Sequence, residues 1–435
     1  PPDGREALDK TITAGPYDLS LIMNTDGVRI SKNGLNSECW PVLFHVAEIP
    51  PEIRSQTILF GGVWVADSKP VMNVYLKPIV GQIRRMYRHG LKWTNPATKK
   101  EEVSRVKVPV ISADAPGRAE LLNIKYFSGQ SCCNSCETTY EPFENQNTGK
   151  MTGKAFGYKE GTPLRTDKSI RRDGATAEKL NATKRTKKPL AYNGLKGQTI
   201  IRFLPLIDLS KAVVPEAMHA YFLGVFKLLM LAFFCTVGEP FSLTQEQIDK
   251  INDALADLRV PSFIHRPPRR IEELKNFKAS EFLFWAFFFI LPLLSGVLPQ
   301  VYFDHLLLFC KSMYILCKKD NTDRERELRL AEEMLTRFVK EMEVLYGPSY
   351  MPYNVHQLVH APQMVRDFGY LPETWAFPFE SFNGIIAKSV HGTKHFGAEV
   401  SNRLRHIAKL TPLRSKYESE GRRKFVYKPK DICPP

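Results

Sequence analysis

The sequence predicts an α/β fold: a strand-rich core interrupted by a large all-helical insertion. Three observations predict it. Apolar runs of strand length fill residues 17–114, a helical pattern dominates residues 215–346, and a last short helix carries an acid.

The elements follow in order. YDLSLIMNTDG is an apolar run ending at a turn, and CWPVLFHVAEI and TILFGGVWV follow as strands. In MNVYLKPIVGQIRRMYRHG, Val74, Leu76, Ile79, Ile83 and Met86 recur at helical spacing, and the basic end and Gly90 suit a helix C-terminus. VKVPVISADAPGR returns to a strand, blemished by Pro109, with Asp114 at its end. Residues 137–200 read as loop-like. Residues 168–190 hold eight Lys and Arg against two acids, which suits either a solvated loop or one that contacts phosphates. HAYFLGVFKLLMLAFF is apolar nearly all round and is predicted to be buried. RERELRLAEEMLTRFVKEMEVLYG places Leu328, Ala331, Leu335, Phe338 and Met342 on one face and stops at Gly347-Pro348. One further helix holds His356 and His360, and another starts near Pro378 and holds Glu380. The boundaries are 1–135 and 351–411 for two parts of the core, 136–200 for a basic loop region, 201–350 for the helical insertion, and 412–435 for a basic tail.

Composition narrows the class. Hydrophobic residues make up 43% and charged residues 25% of the chain, enough to bury a core. A net charge of +15 favours a polyanionic partner such as nucleic acid. Eight irregularly spaced cysteines do not make a disulfide framework, so a reducing intracellular compartment is expected. The chain opens on PPDGREALDK, without a signal peptide or initiator Met, and reads as a trimmed domain whose upstream module lies elsewhere. Residues 282–298 carry no charge. At the short edge for a membrane span and interrupted by Pro292, they read as a buried helix.

Three acids stand out. Asp26 and Asp114 each close an apolar strand, and Glu380 lies among aromatics in WAFPFESFNG. Phosphoryl transfer by two metal ions needs carboxylate oxygens around a cation pair, and Mg²⁺ takes few protein carboxylates and several waters. Asp26, Asp114 and Glu380 meet that need if they converge. Taken singly, the aspartates also suit turn residues, and Glu380 suits the first turn of a helix.

A second set is made of soft ligands. Cys133 and Cys136 form a CxxC pair, and His356 and His360 are four apart on one helix face. Together they are a complete Cys₂His₂ zinc set, too far apart in sequence for a zinc finger. Cys132 is an additional candidate. A redox pair is the alternative for the cysteines, but this CxxC does not open a helix after a βαβ strand, and the histidines could simply be a packed face.

These motifs resemble, in order, the eukaryotic DDE transposases of the CACTA (En/Spm) superfamily and the animal transposase-domain proteins related to them. TDGV with the following CWPV resembles the first Asp block, and SADAPGRAELLN the second. KGQTIIRFLPLIDLSKAVVPEAMHAYFLGVFK, NFKASE, NVHQLVH and FESFNG with HGT complete a resemblance over roughly residues 17–400. It extends more remotely to the Transib transposases and the catalytic subunit of the V(D)J recombinase, which place a CxxC after the second Asp and paired His before the catalytic Glu. Here Cys133 follows Asp114, and His360 precedes Glu380, at nearly equal offsets.

The resemblance implies an RNase H-like core, similar to retroviral integrases. It implies metal-dependent cleavage and strand transfer at transposon ends, with Mg²⁺ or Mn²⁺. Asp26 would bridge two ions, and Asp114 and Glu380 would each complete one shell. It further implies a structural zinc on Cys133, Cys136, His356 and His360, DNA as partner, a homo-oligomer, nuclear location and no membrane. His219 would position phosphate, or else cap a buried helix. Glu216 stands where the family usually has Asp, which leaves its role open. A transposase-derived protein that binds without cutting, and a generic RNase H-like nuclease, are the alternatives.

Overall fold

The computed structural model describes residues 15–32, 35–54, 57–145, 149–184, 189–264, 266–319, 323–389 and 397–406. It is a mixed α/β protein with a mixed sheet and many helices, divided into two compact units. Among the described residues, one unit holds 15–113, 199–208 and 376–406, and the other holds 114–198 and 209–375. The basic tail at 412–435 lies outside the described residues.

The first unit is built on strands β1 (Leu19–Thr25), β2 (Val28–Lys32), β3 (Leu35–Val46), β4 (Leu59–Ala66) and β7 (Val106–Ala113), with β5 (Leu91–Thr94) and β6 (Glu101–Ser104) as a separate hairpin. β3 runs antiparallel to β1, β2 and β4, and β7 runs parallel to β1. Most residues of β1 and β7 are buried on both faces, which explains their nearly continuous apolar runs.

Pro109 sits in a ladder irregularity, and Pro41 at a hand-over between two partner strands while staying in register with Val63 of β4. The β1–β7 register shifts between Ser20 and Ile22, and Pro109 falls in that irregularity. Pro41 falls where β3 passes from β2, last paired at Cys39, to β1, first paired at Val42. The helical pattern that follows β4 splits into Met72–Tyr75 and Lys77–His89. Pro78 causes the break, because it has no N–H to donate back to Val74. Val74 therefore ends up exposed, while Leu76, Val80 and Ile83 are buried.

The second unit contains the hairpin β8 (Glu141–Asn145) and β9 (Lys150–Ala155), the short β10 (Val213–Pro215), and most of the helices. Residues 168–190, expected as a loop, instead carry the helix Asp167–Thr183; residues 185–188 lie outside the described residues. Its N-terminus is a capping box between Thr166 and Ser169, and its Gly174 is required because the Gly197 carbonyl would stand 3.0 Å from a Cβ there.

Met218–Cys235 is a continuous helix whose first part, Met218–Phe226, has the wider π spacing. It is apolar and long enough to cross a membrane, but 61% of it is buried inside the protein, as a core helix requires. Ala279–Leu294 buries Phe282, Trp285, Phe289 and Ile290 on one stripe. Arg324–Tyr346 buries Leu328, Ala331, Leu335, Phe338 and Met342, and it ends at Gly347 with φ +85°.

Candidate metal centre and carboxylate sites

In the helical unit Cys133, Cys136, His356 and His360 converge, with one ligand atom from each lying within 4.8 Å of all the others. Cys133 Sγ is 3.6 Å from His360 Nε2, Cys136 Sγ is 3.2 Å from His356 Nε2, and the two Nε2 atoms are 3.3 Å apart. A tetrahedral zinc with sulfur at about 2.3 Å and nitrogen at about 2.0–2.1 Å separates S from N by roughly 3.6 Å and N from N by roughly 3.3 Å. The four side chains therefore fit zinc. The buried Cys₂His₂ cluster could hold a metal ion such as zinc.

Local structure explains the fit. His356 lies in the last turn of the short helix Tyr353–Gln357, and His360 ends the 3₁₀ turn Leu358–His360, so the pair does not share one regular helix. Pro362 lacks the N–H that would continue the α pattern back to Leu358. On the cysteine side, the loop is wrapped around Arg165. Its Nε donates to the carbonyls of Cys133 and Cys136, and its Nη2 to those of Ser131 and Asn193. A buried cation at the centre of a turn holds both sulfurs in place.

The two thiols behave differently. Burial raises Cys133, but hydrogen bonding from Cys136 and the neighbouring histidines outweigh it and hold Cys133 well below the usual range. Cys136 is driven up by its bond to Cys133 and by burial. Cys132 is pushed up to about 12, chiefly by burial, and stays outside the cluster as a packed thiol. Cys136, His356 and His360 also line a cavity of about 180 Å³ with Lys159 and Glu332 on its wall.

The cluster reaches toward Asp114 in two ways. Cys132, Cys133, Cys136, Phe156 and Tyr353 form one apolar cluster against which Ala115 packs. Gln357 donates to Cys133 Sγ at 3.4 Å and accepts from the buried Arg118 at 3.1 Å. Arg118 belongs to the helix Ala115–Leu122, whose N-cap is Asp114, with Oδ1 accepting from Gly117 N at 2.6 Å. Neither Arg165, Arg118 nor Gln357 was singled out from the sequence. Their partners are backbone atoms or distant side chains, which leave no local pattern, though Gln357 is adjacent to His356.

Asp114 and His219 line a second cavity, of about 280 Å³, with Phe127, Pro352, Tyr353 and Asn354. His219 Nδ1 lies 2.6 Å from Oε2 of Glu216, which is fully buried and also accepts from the backbone N–H groups of Met218 and His219. Glu216 therefore caps the turn and orients the imidazole at once.

In the sheet unit Asp26 and Glu380 come together, their carboxylate oxygens within 4.8 Å. Asp26 is the first residue after β1, and its Oδ1 accepts from Gly27 N at 2.7 Å. Gly27 lies against the Trp40 ring, which a Cβ would meet at 2.7 Å. Glu380 lies in the first turn of the helix Phe377–Ser389. Its neighbour Phe379 is buried against His45 of β3, with ring centroids 4.2 Å apart. The sheet unit thus joins Asp26 to Glu380, and the helical unit joins Asp114 to His219. No protein-family model matches the sequence, and no curated protein matches it at a significant level.

Proposed function

We propose that the protein is a DDE-type transposase, a polynucleotidyl transferase that cuts DNA at transposon ends and joins the freed 3′-hydroxyl to a target. The observation that carries this reading is the meeting of Asp26 and Glu380, two acids from opposite ends of the chain, within 4.8 Å. Such a pair can share a hard divalent cation whose oxygens stand at about 2.0–2.1 Å. Asp26 and Asp114 are each the first residue after one of two parallel-paired strands, β1 and β7. Acids at the carboxyl ends of adjacent strands, with a third on a late helix, support the RNase H-like core that the resemblance implies.

Asp26, Asp114 and Glu380 are the residues that would hold two Mg²⁺ or Mn²⁺ ions. Bound there, the ions would activate the attacking hydroxyl and stabilise the leaving oxygen. The N–H groups of Gly27 and Gly117 hold the two aspartates in fixed orientations, so little reorganisation is needed. Glu216 fixes His219 through Nδ1, and His219 would meet a phosphate oxygen through Nε2. The Cys₂His₂ cluster braces the helix that follows Asp114 and takes no part in the chemistry.

The test is nicking and strand joining of DNA with Mg²⁺ or Mn²⁺, comparing wild type with Asp114→Asn. A loss of at least about a hundredfold is expected for the variant. Equal activity would remove Asp114 from the site. Cleavage of RNA–DNA hybrids alone would select a generic nuclease, and DNA binding without cleavage would select a transposase-derived binding protein.

A further inference from the structure

The helix Lys77–His89 in the sheet unit has a charge pattern that its own fold does not require. From residue 68 to residue 100 the chain contains eight Lys and Arg and no Asp or Glu. Lys77, Gly81, Arg84 and Arg88 recur at helical spacing on one face, with Arg85 beside them. The adjacent face, about 100° round the helix, buries Leu76, Val80 and Ile83. The helix dipole accounts for Arg88 in the last turn but not for Lys77, which sits at the positive N-terminal end with no acid in the first turn. Among the described residues, no carboxylate pairs with Lys77, Arg85 or Arg88.

Two further observations point to an anion that approaches closely. Gly81 lies exposed at mid-helix, and a Cβ built there would touch nothing within 4 Å. Packing does not demand a glycine there, and an interior helical glycine weakens the helix. A residue without a side chain in the middle of a cationic stripe leaves room for a backbone to press against the helix. Beside the stripe, Arg84 and Arg202 both lie over the half-exposed ring of Phe203, at 5.5 and 4.4 Å. Both guanidinium groups thus stand beside the stripe and widen its positive surface.

We propose that the stripe Lys77, Gly81, Arg84, Arg85 and Arg88 is a binding face for the sugar-phosphate backbone of duplex DNA. From Lys77 to Arg88 the helix rises about 16 Å. That matches roughly five phosphates of one strand. The contacts are to phosphates, so the face supplies affinity and register without reading sequence. The proposal takes from the preceding reading only the class of ligand.

The experiment is fluorescence anisotropy of the full chain with a random-sequence duplex, without divalent metal, across a series of salt concentrations. Lys77→Gln/Arg85→Gln/Arg88→Gln is expected to weaken binding more than tenfold at moderate salt. It should also lower the slope of log affinity against log salt by about 3, near 0.9 for each lost contact. Gly81→Leu is expected to weaken binding while leaving the melting temperature unchanged or higher, a combination that a merely structural glycine would not give. An unchanged slope in the triple variant overturns the proposal. Displacement by polyglutamate as readily as by duplex DNA overturns it too, and assigns the face to an acidic protein. Cleavage is not measured, so failure of the chemistry leaves this result standing, and failure of the face leaves the chemistry standing.

Discussion

Asn24 donates through Nδ2 to the backbone carbonyl of Ser112 at 3.0 Å, a buried side-chain tie across the parallel pair β1 and β7. The tie lies two residues before Asp26 on one strand and two before Asp114 on the other. It fixes how far each strand runs before its acid. Asn24→Ala is expected to cost about 1–3 kcal/mol, because a buried carbonyl loses its donor. Strand cleavage should fall more than that stability loss alone accounts for. Urea unfolding combined with cleavage rates checks this, and an unchanged unfolding midpoint would count against the tie.

The metal set leads to a direct expectation. Purified protein should hold about one zinc per chain and lose it, with a fall in melting temperature, on strong chelation. Arg165→Met should cost about 3–5 kcal/mol, since four carbonyls around the cysteine loop lose a shared donor. Arg165→Lys keeps the charge but not the fork that reaches all four, so zinc affinity should still drop roughly 10–100-fold. Competition with a chromophoric chelator measures this, and wild-type affinity in Arg165→Met would refute the role.

Two buried histidines set an acid limit on stability. Burial, aided by Arg54, lowers His45 to about 3, and burial lowers His305 to about 4, against an ordinary value of 6.5. Above pH 6.5 the folded and unfolded chains bind the same number of protons at these sites. Below it the unfolded chain takes up protons that the folded one refuses, so stability falls as pH drops toward 4. The slope is at most about 1.4 kcal/mol per pH unit for each histidine. His305 stacks on Phe338 at 4.1 Å, so Phe can take its place in the core. His305→Phe should flatten the urea-unfolding profile between pH 6.5 and 4 by about one proton, and an unaltered profile would refute the assignment.

What the sequence disclosed was governed by whether a partner lay on a repeating pattern. The Cys and His pairs were legible because ligand spacing is itself a pattern, and the structure brings all four within 4.8 Å. The acids after β1 and β7 were legible because each ends an apolar run. The helix Asp167–Thr183 was hidden by its Gly174 and its many cations, and by a capping box that uses Ser169 where Glu or Gln is usual. The basic stripe on Lys77–His89 does not stand out in the sequence, since Arg88 and His89 alone satisfy the rule for a helix end. Arg165 could not be found at all, because carbonyl groups have no letter in a sequence.

The separation of Cys136 from His356, 220 positions along the chain, has a consequence in time. A ribosome adding about 5–20 residues per second exposes the thiols some 10–40 s before the imidazoles emerge. During that interval the cysteines have no histidine partners, and a metal captured early must be held by sulfur alone. The chain therefore closes this ligand loop only after the intervening residues have been made, shortly before Glu380 appears.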